Sequence, residues 1–230
     1  MVEPSAGKGA FFKLLPPGSL GFDVEPKYPG IQTADFLTVE IGGELDVAIN
    51  GNPPFGKNAS LAVRFFNHAA RQSSVIALIM PRSVQKAAIE NRLDPAFHLQ
   101  FEVIVPDHAF FFRGKPFDVP AVFQIWERRP QPRQLQFVET THQDFEFTTH
   151  DRANFAIQRV GANAGRVHSN FKASPSSHYF IRGYGDVEAV MRILDFASVT
   201  CNVAGNPSLA KCEIVSLYRK HLQISINAVL

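Results

Sequence analysis

The stretch Ala48-Ile49-Asn50-Gly51-Asn52-Pro53-Pro54-Phe55-Gly56 decides how the rest of the chain is read. An apolar strand, Val47-Ala48-Ile49, runs into a stiff polar corner. Two consecutive prolines fix the backbone and remove two N–H donors. The carbonyls there have few local partners and can accept from a ligand. Asn52 adds a side-chain oxygen, and Phe55 adds a flat apolar face. Two acceptors and one face, held rigidly, suit an amino group on a flat ring. A strand end followed by a tight turn is the plain alternative, and so short a motif does not decide between them.

Upstream of the corner lie three more strand ends. Val2-Glu3-Pro4-Ser5-Ala6-Gly7-Lys8-Gly9 reads as a very short strand and a small-residue loop, followed by a helix to about Leu15 that Pro16-Pro17-Gly18 stops. The Gly-Lys pair lacks the Ser or Thr and the spacer of a phosphate-binding P-loop. Leu20-Gly21-Phe22-Asp23-Val24 is the next strand, ending at Asp23 and Glu25. This carboxylate follows the glycine loop at the spacing at which nucleotide folds meet ribose hydroxyls. Ile31 to Leu37 is a third unit, carrying Asp35 and Phe36. Four strands ending in polar or aromatic groups predict a mostly parallel sheet in an α/β fold. Ligands in such sheets bind beyond the carboxyl ends of the strands.

Bulk composition narrows the function classes. The 230 residues carry a formal charge of +2, which argues against a polybasic protein but leaves room for a local basic groove. Phenylalanine, at 21 residues against 4 Tyr and 1 Trp, must be mostly core. No apolar run is long enough to span a bilayer, and no charged-then-apolar leader opens the chain. Cys201 and Cys212 form neither a CxxC pair nor a zinc set, so two ordinary buried thiols in a reducing, cytoplasmic compartment are expected, with no metal.

Beyond the corner, Asn58 to Gln72 has helical spacing, with Leu61, Phe65 and Ala69 on one stripe. Val75 to Arg82 is a short apolar run ended by proline, a buried strand. Ser83 to Arg92 predicts a short helix, and Phe97–Val105 and Val119–Trp126 predict an antiparallel pair closing the sheet. Between that pair, Pro106 to Asp118 holds Phe110, Phe111, Phe112 and Phe117 with Gly and Pro. Glu127 to Arg133 is a polar, proline-rich break, giving domains of 1–128 and 135–230. The second is a small α+β region. Arg159, Arg166, Lys172 and Arg182 stand there among Asn163, Ser169, Asn170, Ser174, Ser176, Ser177 and His178, a mix that contacts phosphates and bases or simply faces solvent. A strand over Tyr179–Arg182 and a helix over Val187–Ala197 are expected, and the last helix is expected from Asn206 through about Leu222.

Glu3-Pro4-Ser5-Ala6-Gly7-Lys8-Gly9-Ala10-Phe11, then Asp23, then Ala34-Asp35-Phe36, then Asn52-Pro53-Pro54-Phe55, resembles the ordered motifs of N6-adenine methyltransferases that use S-adenosylmethionine. The resemblance covers roughly residues 1–128. It implies a class I methyltransferase, Rossmann-like sheet, mostly parallel with an antiparallel last strand. It implies a cofactor site of Glu3, Pro4, Ser5, Ala6, Gly7, Asp23, Asp35, Phe36 and Asn52: Glu3 and the glycine loop near the methionine part, Asp23 on the ribose, Asp35 on the adenine amino group, Phe36 against the adenine ring. It implies catalysis at Asn52, Pro53, Pro54 and Phe55, with Phe55 and an aromatic of the later loop holding the flipped base. Phe112 is the first choice for that aromatic, Phe117 the second and Phe110 the third, and each fits the core equally well. The C-terminal region is then a target-recognition element, with Lys172 and Arg182 on nucleic acid.

Relatives usually have a segment before the glycine motif that helps to close the cofactor pocket, so weak cofactor binding is the expectation for this chain. The motif order and the long tail favour DNA. RNA adenine enzymes share the corner and stay open as an alternative, as does a catalytically inactive nucleic-acid-binding relative. Some rRNA guanine-N2 enzymes also carry Asn-Pro-Pro-Phe, usually followed by His where this chain has Gly56. Enzymes that methylate a protein glutamine carry Asn-Pro-Pro-Tyr.

Overall fold

The computed structural model describes residues 1–42, 47–112, 114–200 and 206–227, the side chains of 112 and of 225–227 excepted. The chain forms two compact units, Met1–Gln136 and Phe137–Leu230.

In the first unit, β1 (Val2–Glu3), β2 (Leu20–Asp23), β3 (Gln32–Thr33), β4 (Ala48–Gly51), β5 (Val75–Pro81), β6 (Phe97–Ile104) and β9 (Ala121–Arg128) build one sheet. Its order is β3-β2-β1-β4-β5-β9-β6. The first five strands pair in parallel, and β9 runs antiparallel between β5 and β6. This is the mostly parallel sheet with an antiparallel last strand of class I methyltransferases. The order reverses between β1 and β4, so the connections that leave their carboxyl ends run to opposite sides, the place at which open α/β sheets bind ligands.

One face of the sheet carries the core. Helix α1 (Ser60–Ala70) lays Ala62, Val63, Phe65, Phe66, Ala69 and Ala70 into a cluster with Ile49, Ile76, Leu78, Met80, Val122 and Trp126. Phe66 meets Phe97 and Trp126 edge-on at 5.7 and 5.5 Å. The Trp126 indole N–H donates to Gln124 Oε1 at 3.1 Å, and the Gln124 amide donates to Glu102. On the opposite face Val75, Ala77 and Ile79 are half-buried, so that side of the expected buried strand is covered in part.

Local chemistry moves several boundaries. The predicted first helix shrinks to a 3-10 turn at Phe12–Leu14, because the glycines before it take positive φ and the prolines after it end it. Helix α1 starts at Ser60, since Asn58 and Ala59 sit in the left-handed region. The segment after β5 splits into a 3-10 turn at Arg82–Gln85 and α2 (Ala87–Glu90), because Lys86 is extended. The aromatic loop folds into a hairpin of β7 (Phe111–Phe112) and β8 (Lys115–Pro116). The proline-rich stretch is bonded into the first unit. Arg129 and Arg133 donate their backbone N–H groups to Ala96 and Pro95, and the Arg133 guanidinium caps the carbonyls of Glu90 and Leu93.

The second unit has an antiparallel sheet in the order β10-β13-β11-β12: β10 (Phe145–Thr148), β13 (His178–Gly183), β11 (Phe155–Gln158) and β12 (Val167–His168). Helices α3 (Val187–Ile193), α4 (Ala197–Thr200) and α5 (Lys211–Asn227) follow. Phe145, Phe155, Ile157, Ile181, Met191, Ile214 and Tyr218 form its core. The expected helix through Ala197 is two helices, because Leu194 is extended. The last helix begins at Lys211, not Asn206: Ser208 bridges Val160, and the Pro207 carbonyl accepts from Gly161. Cys212 is half-buried on α5, and Cys201 lies outside the described residues. Among the described residues no helix is long and apolar enough to cross a membrane.

Candidate active site

Asn52 follows β4 directly, beside the end of β1. Its side-chain Oδ1 is buried and receives no hydrogen bond. Pro53 is buried, Pro54 exposed and Phe55 half-buried. The Phe55 carbonyl is taken: the N–H groups of Leu61 and Ala62, in the first turn of α1, both donate to it at 3.2 Å. The corner is thus anchored to the helix on one side. Gly56 makes that anchor possible. Its φ is +69°, and a Cβ there would stand 2.8 Å from the Leu61 nitrogen. Asn58 and Ala59 follow at φ 52° and 58°, two strained residues in succession immediately after the corner.

Glu3 ends β1 and is 2% exposed. Burial pushes its carboxyl up to about 7, opposed by the backbone N–H at Phe12 and reinforced by the charge of Asp23. Its Oε2 is buried without a donor. Pro4 and Ala6 are buried, while Ser5 and Gly7 are half-buried. Asp23, at the end of β2, holds the glycine loop shut: its two oxygens accept from Gly7 N and Glu25 N, each at 2.8 Å. Each oxygen keeps one lone pair. The loop is pinned again by Lys27 N donating to the Gly7 carbonyl at 2.8 Å. Tyr28 packs against Gly9, where a Cβ would be only 2.6 Å from its Cγ.

Asp35 is exposed and caps the 3-10 turn Phe36–Thr38, its Oδ1 accepting from Leu37 N at 3.0 Å. Phe36 is committed to the core. It is 1% exposed, with His68, Phe65 and Phe22 at 5.0, 5.7 and 6.4 Å, so no face of its ring is open where the resemblance implied a ring against adenine. Phe117 is 54% exposed. Phe112 stands in β7, and its side chain lies outside the described part. In the second unit Lys172 and Arg182 are exposed, the latter with its guanidinium 6.0 Å from the Tyr184 ring centroid. Among the described residues no group of three or more metal-ligating side chains occurs.

The structure therefore brings Glu3, the glycine loop, Asp23 and Asn52 to one sheet edge, on adjacent strands. Two further residues stand at this edge outside the motifs. Tyr28 on Gly9 is a contact between loops and has no local signal. Asn50 did have one: an amide in an apolar strand run is out of place. Its Oδ1, too, is buried without a partner.

The strand order and the antiparallel last strand are those of a Rossmann-like, class I methyltransferase type of sheet. No protein-family model matches the sequence, and no curated protein matches it. Among solved structures, the crystal structure of the 23S rRNA methyltransferase ErmE is similar, with a TM-score of 0.40 and 19% identity over 57% of this chain and 62% of that one. The chain thus spans less than two thirds of that structure. A likeness at this level adds nothing to what the strand order already shows.

Proposed function

We propose that the chain is an S-adenosylmethionine-dependent methyltransferase that modifies the exocyclic amine of adenine in nucleic acid, with DNA favoured. One observation carries the reading: Glu3 Oε2 and Asn52 Oδ1 are buried acceptors without donors, on neighbouring strand ends at the switch point of the sheet. Unmet buried acceptors call for a ligand rich in N–H groups. They fit the amino end of S-adenosylmethionine and the amine of a flipped base. On this reading Glu3 and the glycine loop hold the methionine part, and the spare lone pairs of Asp23 receive the ribose hydroxyls. Asp35 binds the adenine amine.

When bound, the cofactor supplies a methyl carbon already activated on a positive sulfur. The chain's own residues prepare the nucleophile. The N6 lone pair of adenine is delocalised into the ring. Asn52 Oδ1 and the Pro53 carbonyl accept both amine hydrogens, draw the nitrogen toward a tetrahedral shape and localise that pair. Among the described residues the Pro53 carbonyl receives no hydrogen bond, which leaves it available. Phe55 and an aromatic of the 106–118 loop stack on the base, which must leave its helix to reach the corner. The catalytic contribution is position and electrostatics.

The test is mass spectrometry of nucleosides after incubating the protein and S-adenosylmethionine with DNA and, separately, RNA. N6-methyldeoxyadenosine in the DNA arm supports the reading. N6-methyladenosine in the RNA arm alone transfers it to RNA. Methylated guanine, or no methylated base in either arm, overturns it.

A further inference from the structure

Three side-chain oxygens are buried without a donor along β1 and β4: Glu3 Oε2, Asn50 Oδ1 and Asn52 Oδ1. Their placement follows from strand register. Val2 stands opposite Ile49, and both belong to the core on the α1 side. One residue further on, side-chain alternation turns Asn50 away from that side. Gly51 separates Asn50 from Asn52, and the Glu3 side chain packs against it: a Cβ at Gly51 would stand 3.1 Å from Glu3 Cγ and 3.8 Å from Oε1. Glu3 is itself 2% exposed, so this is an interior arrangement rather than a surface cluster.

Donor counting selects the ligand group. A hydroxyl offers one hydrogen and a base amine two, whereas a primary ammonium offers three and accepts none. We propose that Asn50 is a further binding residue, accepting a hydrogen bond from a primary ammonium held between it, Glu3 and Asn52. The inference rests on the methyltransferase reading above, under which that ammonium is the α-amino group of the cofactor's methionine part. Asn52 Oδ1 has two lone pairs. One ammonium hydrogen leaves the second for the target amine, so Asn50 relieves Asn52 of carrying the cofactor alone.

Two ligands separate this role from a structural one. S-adenosylhomocysteine carries the ammonium; 5′-methylthioadenosine has the same adenosine but lacks the amino-acid end. Both are titrated by calorimetry into the full chain and into Asn50→Val, whose side chain is close in size and suits a strand. The expected result is a loss of about tenfold or more in affinity for S-adenosylhomocysteine with no change for 5′-methylthioadenosine, the loss of one charge-assisted hydrogen bond. Equal affinity of wild type and variant for S-adenosylhomocysteine overturns the inference while leaving the site reading intact. So does an equal loss for both ligands, which marks Asn50 as structural. If the wild-type chain binds neither compound, the site reading fails and the inference with it. Should Asn50→Val not fold, Asn50→Ala enters the same comparison.

Discussion

Glu3 carries the chemistry that is easiest to measure at the scale of one residue. Its carboxyl is raised from 4.5 to about 7, chiefly by burial. Above pH 4.5 the unfolded chain has released a proton that the folded chain keeps. Stability therefore falls as pH rises from 4.5 to 7, and the loss is complete above about 7. Denaturant midpoints measured across that window are expected to decline for the wild type and to stay flatter for Glu3→Gln; parallel slopes would remove Glu3 as the cause. Gly56 makes a second prediction at this scale. Gly56→Ala forces a Cβ into a left-handed conformation and against the Leu61 nitrogen, so a loss of about 1–3 kcal/mol is expected by chemical denaturation. An unchanged midpoint would mean that the turn relaxes freely. These positions also show what a sequence discloses about a site. The placing of Glu3, Asp23 and Asn52 at one sheet edge was legible, because each closes or directly follows a short strand of the parallel sheet. The burial of Phe36 and the seat of Tyr28 on Gly9 depend on contacts with distant chain segments, and no local pattern announces them.

Among the elements, legibility tracked how local the cause of structure is. The apolar run of β5 and the helical stripe of α1 are local patterns, and both elements formed near their expected bounds. The first helix failed because glycine and proline within a few residues leave no room for a regular turn. The start of α5 was misplaced because the bridge between Val160 and Ser208, a long-range pairing, holds residues that look like a helix start. Strand β6 makes the prediction at this scale. It is the edge of the sheet, and Leu99, Phe101, Val103 and Ile104 are 41–57% exposed. A long apolar edge is a template for unwanted pairing. Phe101→Lys is expected to lower concentration-dependent light scattering without lowering the unfolding temperature. A fall in that temperature would show that Phe101 contributes to packing. By contrast, Phe66→Ala, with Phe66 0% exposed, is expected to cost about 3–5 kcal/mol.

On the scale of the whole molecule, one unit offers unmet acceptors at a sheet edge and the other offers exposed Lys172, in a turn, and Arg182, on β13. If Lys172 and Arg182 contact phosphates, replacing each by Ala weakens nucleic-acid binding across sequences and flattens its salt dependence by about one charge. An unchanged salt slope would assign both to the solvated surface. The corner carries the proposal in its narrowest form, that Asn52 turns a ring-bound amine into a nucleophile beside a methyl donor. Its most direct test uses S-adenosylmethionine with a deuterated methyl group and compares the wild-type chain with Asn52→Ala on DNA and RNA substrates. The account predicts trideuteromethyl groups on adenine N6 with the wild type and a loss of about 100-fold or more with the variant, while calorimetry shows the variant still binding the cofactor. Equal transfer by the two proteins would contradict it.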